Sequence, residues 1–361
     1  MLKAEDFVEA SVLIRLMEKR VLNKAGIERI MDAPSAIEVL RLLTQDSTHN
    51  FGELRNAEDY EKVLAASLKE LYQTLYRLSK HPVVIDIPAL KYVFHNMKVA
   101  VKDAVGTNKG SEELYFDFTT IDPDDIASYA MNGKIEERED NDGNEYSVLN
   151  EFNKKKEDNK NNVLPPFVCE AVDEAKEKFR ETGNPEDIDI VLDKRMYQQM
   201  LSYCKSVNSE FITNYVKHSI DFYNIKAFMR VKNIGKGLSF LQECLIPDGL
   251  TDVSSFLANF DKPYEALSQV FYYKYYFGNT IQTGMSAYER SGNFSGLEKL
   301  FDNGLIELVK QSKYIAYGPE ILFAYILSKE NEIRQIRIVV ACKLNNMSVE
   351  SIRERLRDNY A

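Results

Sequence analysis

The sequence has no tryptophan and few cysteines or histidines among its 361 residues. The cysteines stand alone in the chain, at Cys169, Cys204, Cys244 and Cys342. None forms a CxxC pair, the spacing that is typical of structural zinc sites and redox motifs. We therefore expect four free thiols, as in a reducing cytoplasm.

The four histidines also lack a metal-binding pattern. They are His49, His81, His95 and His218, and none lies four residues from another histidine or a cysteine. A helical zinc site would need such a pair on one face. No metal ligand is predicted.

Motifs for nucleotides and for covalent catalysis are missing as well. Gly235-Lys236-Gly237 is the one glycine-lysine cluster, but a P-loop needs Ser or Thr directly after the lysine. Asp122-Pro123-Asp124-Asp125 is the densest carboxylate group, and Pro123 interrupts the helical spacing that a metal–diphosphate site requires. We interpret these segments as a turn and a helix cap. No catalytic or cofactor-binding residue is predicted, and the chain is expected not to be an enzyme.

Positive charge is in deficit, with 46 Lys and Arg against 56 Asp and Glu and a net charge of −10. A basic surface for nucleic acid is therefore not expected. The first residues lack the basic segment and apolar run of a secretory leader. No uncharged apolar run approaches the ~18 residues of a membrane span.

Helical periodicity dominates what the sequence does contain. Five leucines between residues 64 and 78 recur at steps of three and four, which predicts a long helix over 57–79 ended by His81-Pro82. A second long helix is predicted over 321–343, starting at Gly318-Pro319. The segment 5–21 also has the pattern of an amphipathic helix, with apolar residues at Val8, Val12, Ile14, Leu16 and Val21. Strand signals are weak, so the fold class is all-α.

Residues 136–162 differ from the rest of the chain. They are rich in Glu, Asp, Lys and Asn and poor in apolar residues, as expected of a solvated linker or excursion. Asp140 to Gly143 faintly resembles a calcium loop. Arg138 and Leu149 would occupy the first and twelfth positions, where acidic ligands are needed, so the match fails.

A three-residue signature of amide, apolar residue and cation occurs three times. The copies are Asn96-Met97-Lys98, Asn224-Ile225-Lys226 and Gln335-Ile336-Arg337. Each lies late in a long helical segment and is followed by a short capped helix, near Asp122, Asp248 or Ser348. We predict three similar helical domains at 1–135, 166–257 and 258–361, with a polar linker or excursion at 136–165. Such units either close around a pseudo-threefold axis or form an open solenoid.

The cations of this signature are the candidate partner-binding residues. Lys98, Lys226 and Arg337 recur at equivalent places, either as solvated charges on amphipathic helices or as a polar lining that meets an acidic partner. Asp221 and Glu332 each lie five residues before a cation, which is not the spacing of a local helical ion pair.

The C-terminal residues resemble a known family. The run Lys329 to Arg337, then Lys343-Leu344, then Ile352 to Arg357 with Tyr360, resembles the end of the C subunits of V-type and archaeal-type (A/V-type) ATP synthases. These are the counterparts of the d subunit in eukaryotic vacuolar ATPases (V-ATPases). The opening, with Asp6-Phe7, Ile14-Arg15, Leu22 and Ala36 to Leu43, is similar to the family's first helices.

The resemblance implies a funnel of three similar all-helical domains with pseudo-threefold symmetry. It implies a non-catalytic central-stalk subunit of the rotor, peripheral to the membrane on its cytoplasmic face. The wide end would receive the shaft subunits of D and F type, and the narrow end would dock on the proteolipid ring. The chain would transmit torque for ATP-coupled transport of protons or sodium ions, without a cofactor.

Two other interpretations compete with this one. A helical-repeat scaffold for other protein partners predicts an open solenoid. A helical enzyme with a metal–diphosphate site predicts magnesium ligands, which the sequence does not supply. Of the three, the rotary-ATPase subunit alone accounts for both the repeat and the C-terminal motif.

Overall fold

The computed structural model describes residues 2–45, 56–107, 114–133, 164–272 and 278–361. Residues 136–163 of the predicted polar segment, the calcium-loop candidate within them and His49 lie outside these ranges.

Within the described ranges the chain forms sixteen α-helices and no β-strand, which confirms the all-α prediction. The helices are α1 Val8–Glu18, α2 Lys24–Asp32, α3 Ala36–Gln45, α4 Tyr60–Leu78, α5 Val83–Ala104, α6 Pro123–Asn132, α7 Pro166–Thr182, α8 Pro185–Val207, α9 Glu210–Asn233, α10 Leu238–Cys244, α11 Val253–Leu257, α12 Tyr264–Tyr272, α13 Gly278–Ser291, α14 Phe294–Lys310, α15 Pro319–Leu344 and α16 Val349–Arg355.

Proline and glycine lie at helix boundaries, two of which the sequence predicted. Pro34 lies in the break between α2 and α3, and His81-Pro82 follows the end of α4. Gly318 precedes α15, whose first residue is Pro319. Proline fits the first helical turn because its missing N–H has no intrahelical acceptor there.

The predicted caps of the short helices are correct in two of three cases. The side chains of Asp122 and Ser348 accept hydrogen bonds from the first turns of α6 and α16. For α11 the cap is Asp252, which accepts the N–H of Ser254 at 2.7 Å, and not Asp248. Asp248 has a φ of 65°, a left-handed conformation that does not suit the extended backbone of an N-cap.

Helix α1 corrects the predicted apolar face of the first segment. Ile14 and Val21 are buried, whereas Val8, Val12 and Leu16 are exposed. The buried face runs through Ala10, Ser11 and Ile14, on the opposite side of the helix. The periodicity predicts one apolar face, but the apolar residues occupy two.

The chain packs as two compact units. One comprises residues 1–71 and 208–361, and its core contains Phe222 and Phe301 stacked at 4.3 Å. The other comprises residues 72–207, and its core contains Tyr72 stacked on Phe118 at 5.0 Å. Aromatic packing of this kind uses the many Tyr and Phe residues of the sequence. The division into three domains at 1–135, 166–257 and 258–361 stays a prediction.

Candidate partner-binding residues and their contacts

In the first two copies, the side-chain amide of the signature forms hydrogen bonds with the backbone of a segment that follows its helix. Asn96 lies in α5 and is fully buried. Its Nδ2 donates to the carbonyl of Phe116 at 2.7 Å, and its Oδ1 accepts the N–H of Phe116 at 2.9 Å. Asn224 in α9 is also fully buried and makes the same pair of bonds to Ile246, both at 2.8 Å. One side chain therefore satisfies both backbone groups of a residue in a non-helical segment.

The third copy makes a different contact. The Nε2 of Gln335 donates to the side-chain oxygen of Asn359 at 2.5 Å. One turn earlier on α15, Asn331 donates to the carbonyl of Asp358 at 3.0 Å. The amide again holds the segment that follows its helix, but the longer glutamine bonds to a side chain and Asn331 supplies the backbone contact. The three-residue signature did not identify Asn331.

Each signature cation is paired with a carboxylate on another helix. The Nζ of Lys98 lies 2.6 Å from Asp193 on α8. The Nζ of Lys226 lies 3.9 Å from Glu298 on α14. The guanidinium of Arg337 binds Glu61 on α4, with Nε at 2.8 Å and a second contact at 3.0 Å.

These ion pairs differ in exposure. The side chains of Lys98, Lys226 and Arg337 are 24%, 33% and 47% exposed, respectively. Each cation is therefore both partly exposed and paired with a carboxylate of the chain. A partner that reaches them meets three separate cation–carboxylate pairs. Their role in partner binding stays a prediction.

The pairs follow the order of the predicted domains. Lys98 of the first pairs with Asp193 of the second, and Lys226 of the second pairs with Glu298 of the third. Arg337 of the third pairs with a carboxylate of the first. With the predicted bounds, each signature cation therefore pairs with a carboxylate of another predicted domain.

A second ion pair reinforces the contact between α5 and α8. Lys102 binds both carboxylate oxygens of Asp189 at 2.8 Å. Lys98 and Lys102 are four residues apart on α5, and Asp189 and Asp193 are four residues apart on α8. Residues at this spacing share one helix face, so the two helices pair along two turns. The sequence shows both four-residue spacings, but nothing in it gives the register between the two helices.

The carboxylates five residues before two of the cations are buried and bind backbone N–H groups. Asp221 accepts the N–H of Thr251 at 2.9 Å. A Cβ added at Gly249 would lie 2.0 Å from Asp221, so only glycine fits there. Glu332 accepts the N–H of Leu22 at 2.7 Å and the ammonium of Lys329. Both carboxylates therefore bind the backbone of a distant segment and not the cation five residues on, and Glu332 also pairs locally with Lys329.

Residues of the C-terminal motif form hydrogen bonds and ion pairs with other residues of the unit that comprises 1–71 and 208–361. The Tyr360 hydroxyl donates to Glu18 at 2.7 Å, and burial raises the pKa of Tyr360 to about 12. Lys313 donates to the carbonyl of Tyr360 at 2.6 Å. Asp302 accepts from Arg334 at 2.8 Å and from Arg357 at 3.0 Å. The residues that carried the family resemblance therefore hold the C-terminal segment in place.

The remaining sequence candidates have structural roles. Gly235 has a φ of 71° in the turn after α9, as the glycine-lysine cluster predicted. A ring nitrogen of His95 lies 3.0 Å from the carbonyl of Leu114, and one of His218 lies 2.8 Å from that of Asn214. Burial lowers the pKa of both histidines.

In the part of the chain that the structure describes, no group of three His, Cys, Asp or Glu side chains is placed to hold a metal ion. None of the helices seen there combines the length and the apolar character that crossing a bilayer demands.

Comparison with known proteins decides the family. Residues 10–355 match the family described as ATP synthase (C/AC39) subunit. The chain belongs to this family. All three signatures and most of the C-terminal motif lie inside the matched range, so the resemblance predicted from the sequence is confirmed.

Members of the family resemble the chain over different lengths. The C subunit of the V-type sodium ATPase of Enterococcus hirae is 21% identical over 98% of this chain and 99% of its own length. The C subunit of the A-type ATP synthase of Methanocaldococcus jannaschii is 22% identical over 95% of this chain and 84% of its own length. The corresponding A-type protein of Pyrococcus furiosus is 28% identical over 44% of each chain.

Proposed function

We propose that the chain is a non-catalytic central-stalk subunit in the rotor of a V-type rotary ATPase. It acts as a socket between the D- and F-type shaft subunits and the membrane proteolipid ring, and it transmits torque for ATP-coupled ion transport. It lies peripherally on the cytoplasmic face of the membrane. The observation that carries the proposal is the family match over residues 10–355, supported by a V-type relative that aligns over nearly its whole length.

The contacts of the repeated signature support a mechanical role. A part that carries torque must resist shear between its helices, and the signature supplies two kinds of crosslink. Buried amides hold the connecting segments, and ion pairs hold neighbouring helices. Each signature cation pairs with a carboxylate of another predicted domain, which supports the division into three similar domains.

Recovery of the assembly tests this function. The tagged chain is expressed in its own cells and purified from detergent-solubilised membranes. We expect the shaft and proteolipid subunits to co-purify, and the isolated chain to hydrolyse no ATP. The same extract, purified through a tagged shaft subunit, shows whether the rotor survived solubilisation. A rotor recovered intact without this chain would contradict the proposal.

We further propose that Lys98, Lys226 and Arg337, with their paired carboxylates, contribute to binding the shaft. Simple charge reversal is a poor test, because it also breaks the internal ion pairs. Swapped pairs keep the internal attraction and reverse the polarity that a partner meets. The variants are Lys98→Asp with Asp193→Lys, Lys226→Glu with Glu298→Lys, and Arg337→Glu with Glu61→Arg.

The swapped variants should fold normally and bind the shaft more weakly. The measurements are the thermal midpoint of each isolated variant and its yield in the assembly purification. A swap of Lys102→Asp with Asp189→Lys is the matched control, since that pair lies outside the signature. Unchanged shaft binding by a chain that carries all three signature swaps would exclude these pairs from the interface.

A further inference from the structure

Helix α1 has apolar residues on two faces. One face is buried, through Ala10, Ser11 and Ile14. The other presents four aliphatic side chains to solvent, at Val8 (43% exposed), Val12 (59%), Leu13 (39%) and Leu16 (56%). A helix that packs on one side only carries polar residues on its outer face. Exposed aliphatic residues concentrated in one short helix of 11 residues indicate an interaction surface.

An exposed aromatic residue lies on a turn bound to the same helix. The Arg15 guanidinium donates to the carbonyl of Ser312 at 2.6 Å and to that of Ile315 at 2.9 Å. These bonds hold the turn that carries Tyr314, which is 93% exposed. We call Val8, Val12, Leu13, Leu16 and Tyr314 the α1 patch.

Charge at the two ends of α1 restricts what fits the patch. Glu5 and Glu9 are exposed at its N-terminal end, and Lys19 and Arg20 are exposed just beyond its C-terminal end. Helices commonly carry acidic residues in the first turn and basic residues in the last, because these charges complement the helix dipole. When a second helix lies antiparallel to α1, its basic last turn therefore faces the acidic end of α1 and its acidic first turn faces the basic end.

The size of the patch argues against self-association. Four half-exposed aliphatic side chains and one tyrosine offer less than the about 800 Å² that a stable interface buries on each partner. The patch therefore suits a helix that other contacts already hold nearby, as in an assembly of several different proteins.

We propose that the α1 patch binds an amphipathic helix of another subunit, which lies antiparallel to α1. Its apolar face covers Val12 and Leu16. Its basic last turn faces Glu5 and Glu9, and its acidic first turn faces Lys19 and Arg20. This inference rests on the proposed function only in requiring an assembly with other subunits.

Site-specific photo-crosslinking identifies the occupant. Val12 is replaced by the photoreactive amino acid benzoylphenylalanine in the tagged chain, the assembly is purified and irradiated, and crosslinked peptides are sequenced by mass spectrometry. We expect a crosslink to the apolar face of a helix in another subunit. A crosslink to a second copy of this chain, or to lipid alone, would overturn the proposal. The same replacement at Gln198, an exposed polar position on α8, gives the background level.

Substitution tests the energetics of the same contact. Val12→Glu with Leu16→Glu should lower the yield of assembled chain about tenfold, because carboxylates would be buried without partners. Both positions are exposed, so the isolated variant should keep the wild-type thermal midpoint. Gln198→Glu is the control that adds a carboxylate to an exposed helix elsewhere. Glu5→Lys with Glu9→Lys should also weaken assembly, and more at low salt than at high salt.

The two proposals fail in different ways. A wild-type chain that co-purifies with the rotary ATPase but shows no crosslink from position 12 above background would contradict the α1 inference alone. A wild-type chain that crosslinks through position 12 to a helix of an unrelated complex would contradict the proposed function and leave the α1 inference standing. If the variant with Val12→Glu and Leu16→Glu assembled with the wild-type yield, that result would contradict the α1 inference, whichever complex the chain joins.

Discussion

The side-chain amide of Asn224 forms two hydrogen bonds with the backbone of Ile246, one to its carbonyl and one from its N–H, both at 2.8 Å. Asn96 and Phe116 repeat the arrangement in the other unit. The asparagine is short and rigid enough to present a donor and an acceptor to one peptide residue. The bonds of Asn224 are buried and those of Asn96 are part-buried, so water replaces a lost bond poorly, least of all at Ile246. This contact is the structural reason for the amide in the repeated signature.

Removing either asparagine should destabilise the chain. Asn224→Leu leaves the N–H and carbonyl of Ile246 buried without partners, and we expect a loss of about 2–4 kcal/mol in the free energy of unfolding. Asn96→Leu should cost less, because the bonds to Phe116 are only part-buried. Urea unfolding measures both, with exposed Asn233→Ala as the control. A loss under about 1 kcal/mol would show that the amide bonds are unimportant.

The third copy should tolerate the same change better. Gln335→Leu removes one hydrogen bond to a side chain, that of Asn359, and leaves the backbone contact made by Asn331 in place. We expect a smaller loss than for Asn224→Leu, about 1–2 kcal/mol, in the same urea experiment. Asn331→Leu should cost more than Gln335→Leu. A larger loss for Gln335→Leu than for Asn331→Leu would mean that the hydrogen bond to Asp358 contributes less than the one to Asn359.

The signature ion pairs should differ in strength. The pair of Lys98 and Asp193 is close and mostly shielded from water, so a double-mutant cycle should give a coupling of about 1.5–3 kcal/mol. The pair of Arg337 and Glu61 is about half exposed, which limits it to about 0.2–1 kcal/mol. Repeating both cycles at high salt should weaken the second pair more. Equal couplings would show that exposure does not set the strength of these pairs.

Stability should fall as the pH drops through the range in which histidine titrates. Burial lowers the pKa of His218 and of His95 below the ordinary value of 6.5, so protonation favours the unfolded chain. Their contribution is complete above pH 6.5 and is lost as the pH falls from there towards their folded-state pKa values. NMR titration of the ring protons measures both pKa values. The paired change His95→Gln and His218→Gln should flatten the pH dependence, and an unchanged slope would show that other groups cause it.

The hydroxyl of Tyr360 should contribute to stability apart from the bulk of its ring. Tyr360→Phe removes the bond to Glu18 and should cost about 1–2 kcal/mol, while Tyr360→Ala also empties a buried site and should cost about 3–5 kcal/mol. Calorimetric unfolding compares the two. Tyr314→Phe is the control, because that ring is 93% exposed and its loss of a hydroxyl should change nothing.

The sequence by itself determined the helical fold, many helix boundaries and the family. Proline, glycine and capping side chains act through the backbone of their own few residues, so the roles of Pro82, Gly318 and Ser348 could be predicted without any tertiary information. The family resemblance rested on residues spread along the chain, and the match over 10–355 confirms it.

Only the tertiary structure decided what the signature residues contact. The carbonyl that Asn96 binds lies 20 residues away in sequence, and the carboxylate that Arg337 binds lies 276 residues away. No local pattern encodes such distances, because they depend on how helices pack. The same holds for α1, where periodicity identified the apolar residues but not which of them would be covered. Ile14 is buried and Val12 is exposed because the unit packs against one side of the helix and leaves the other open.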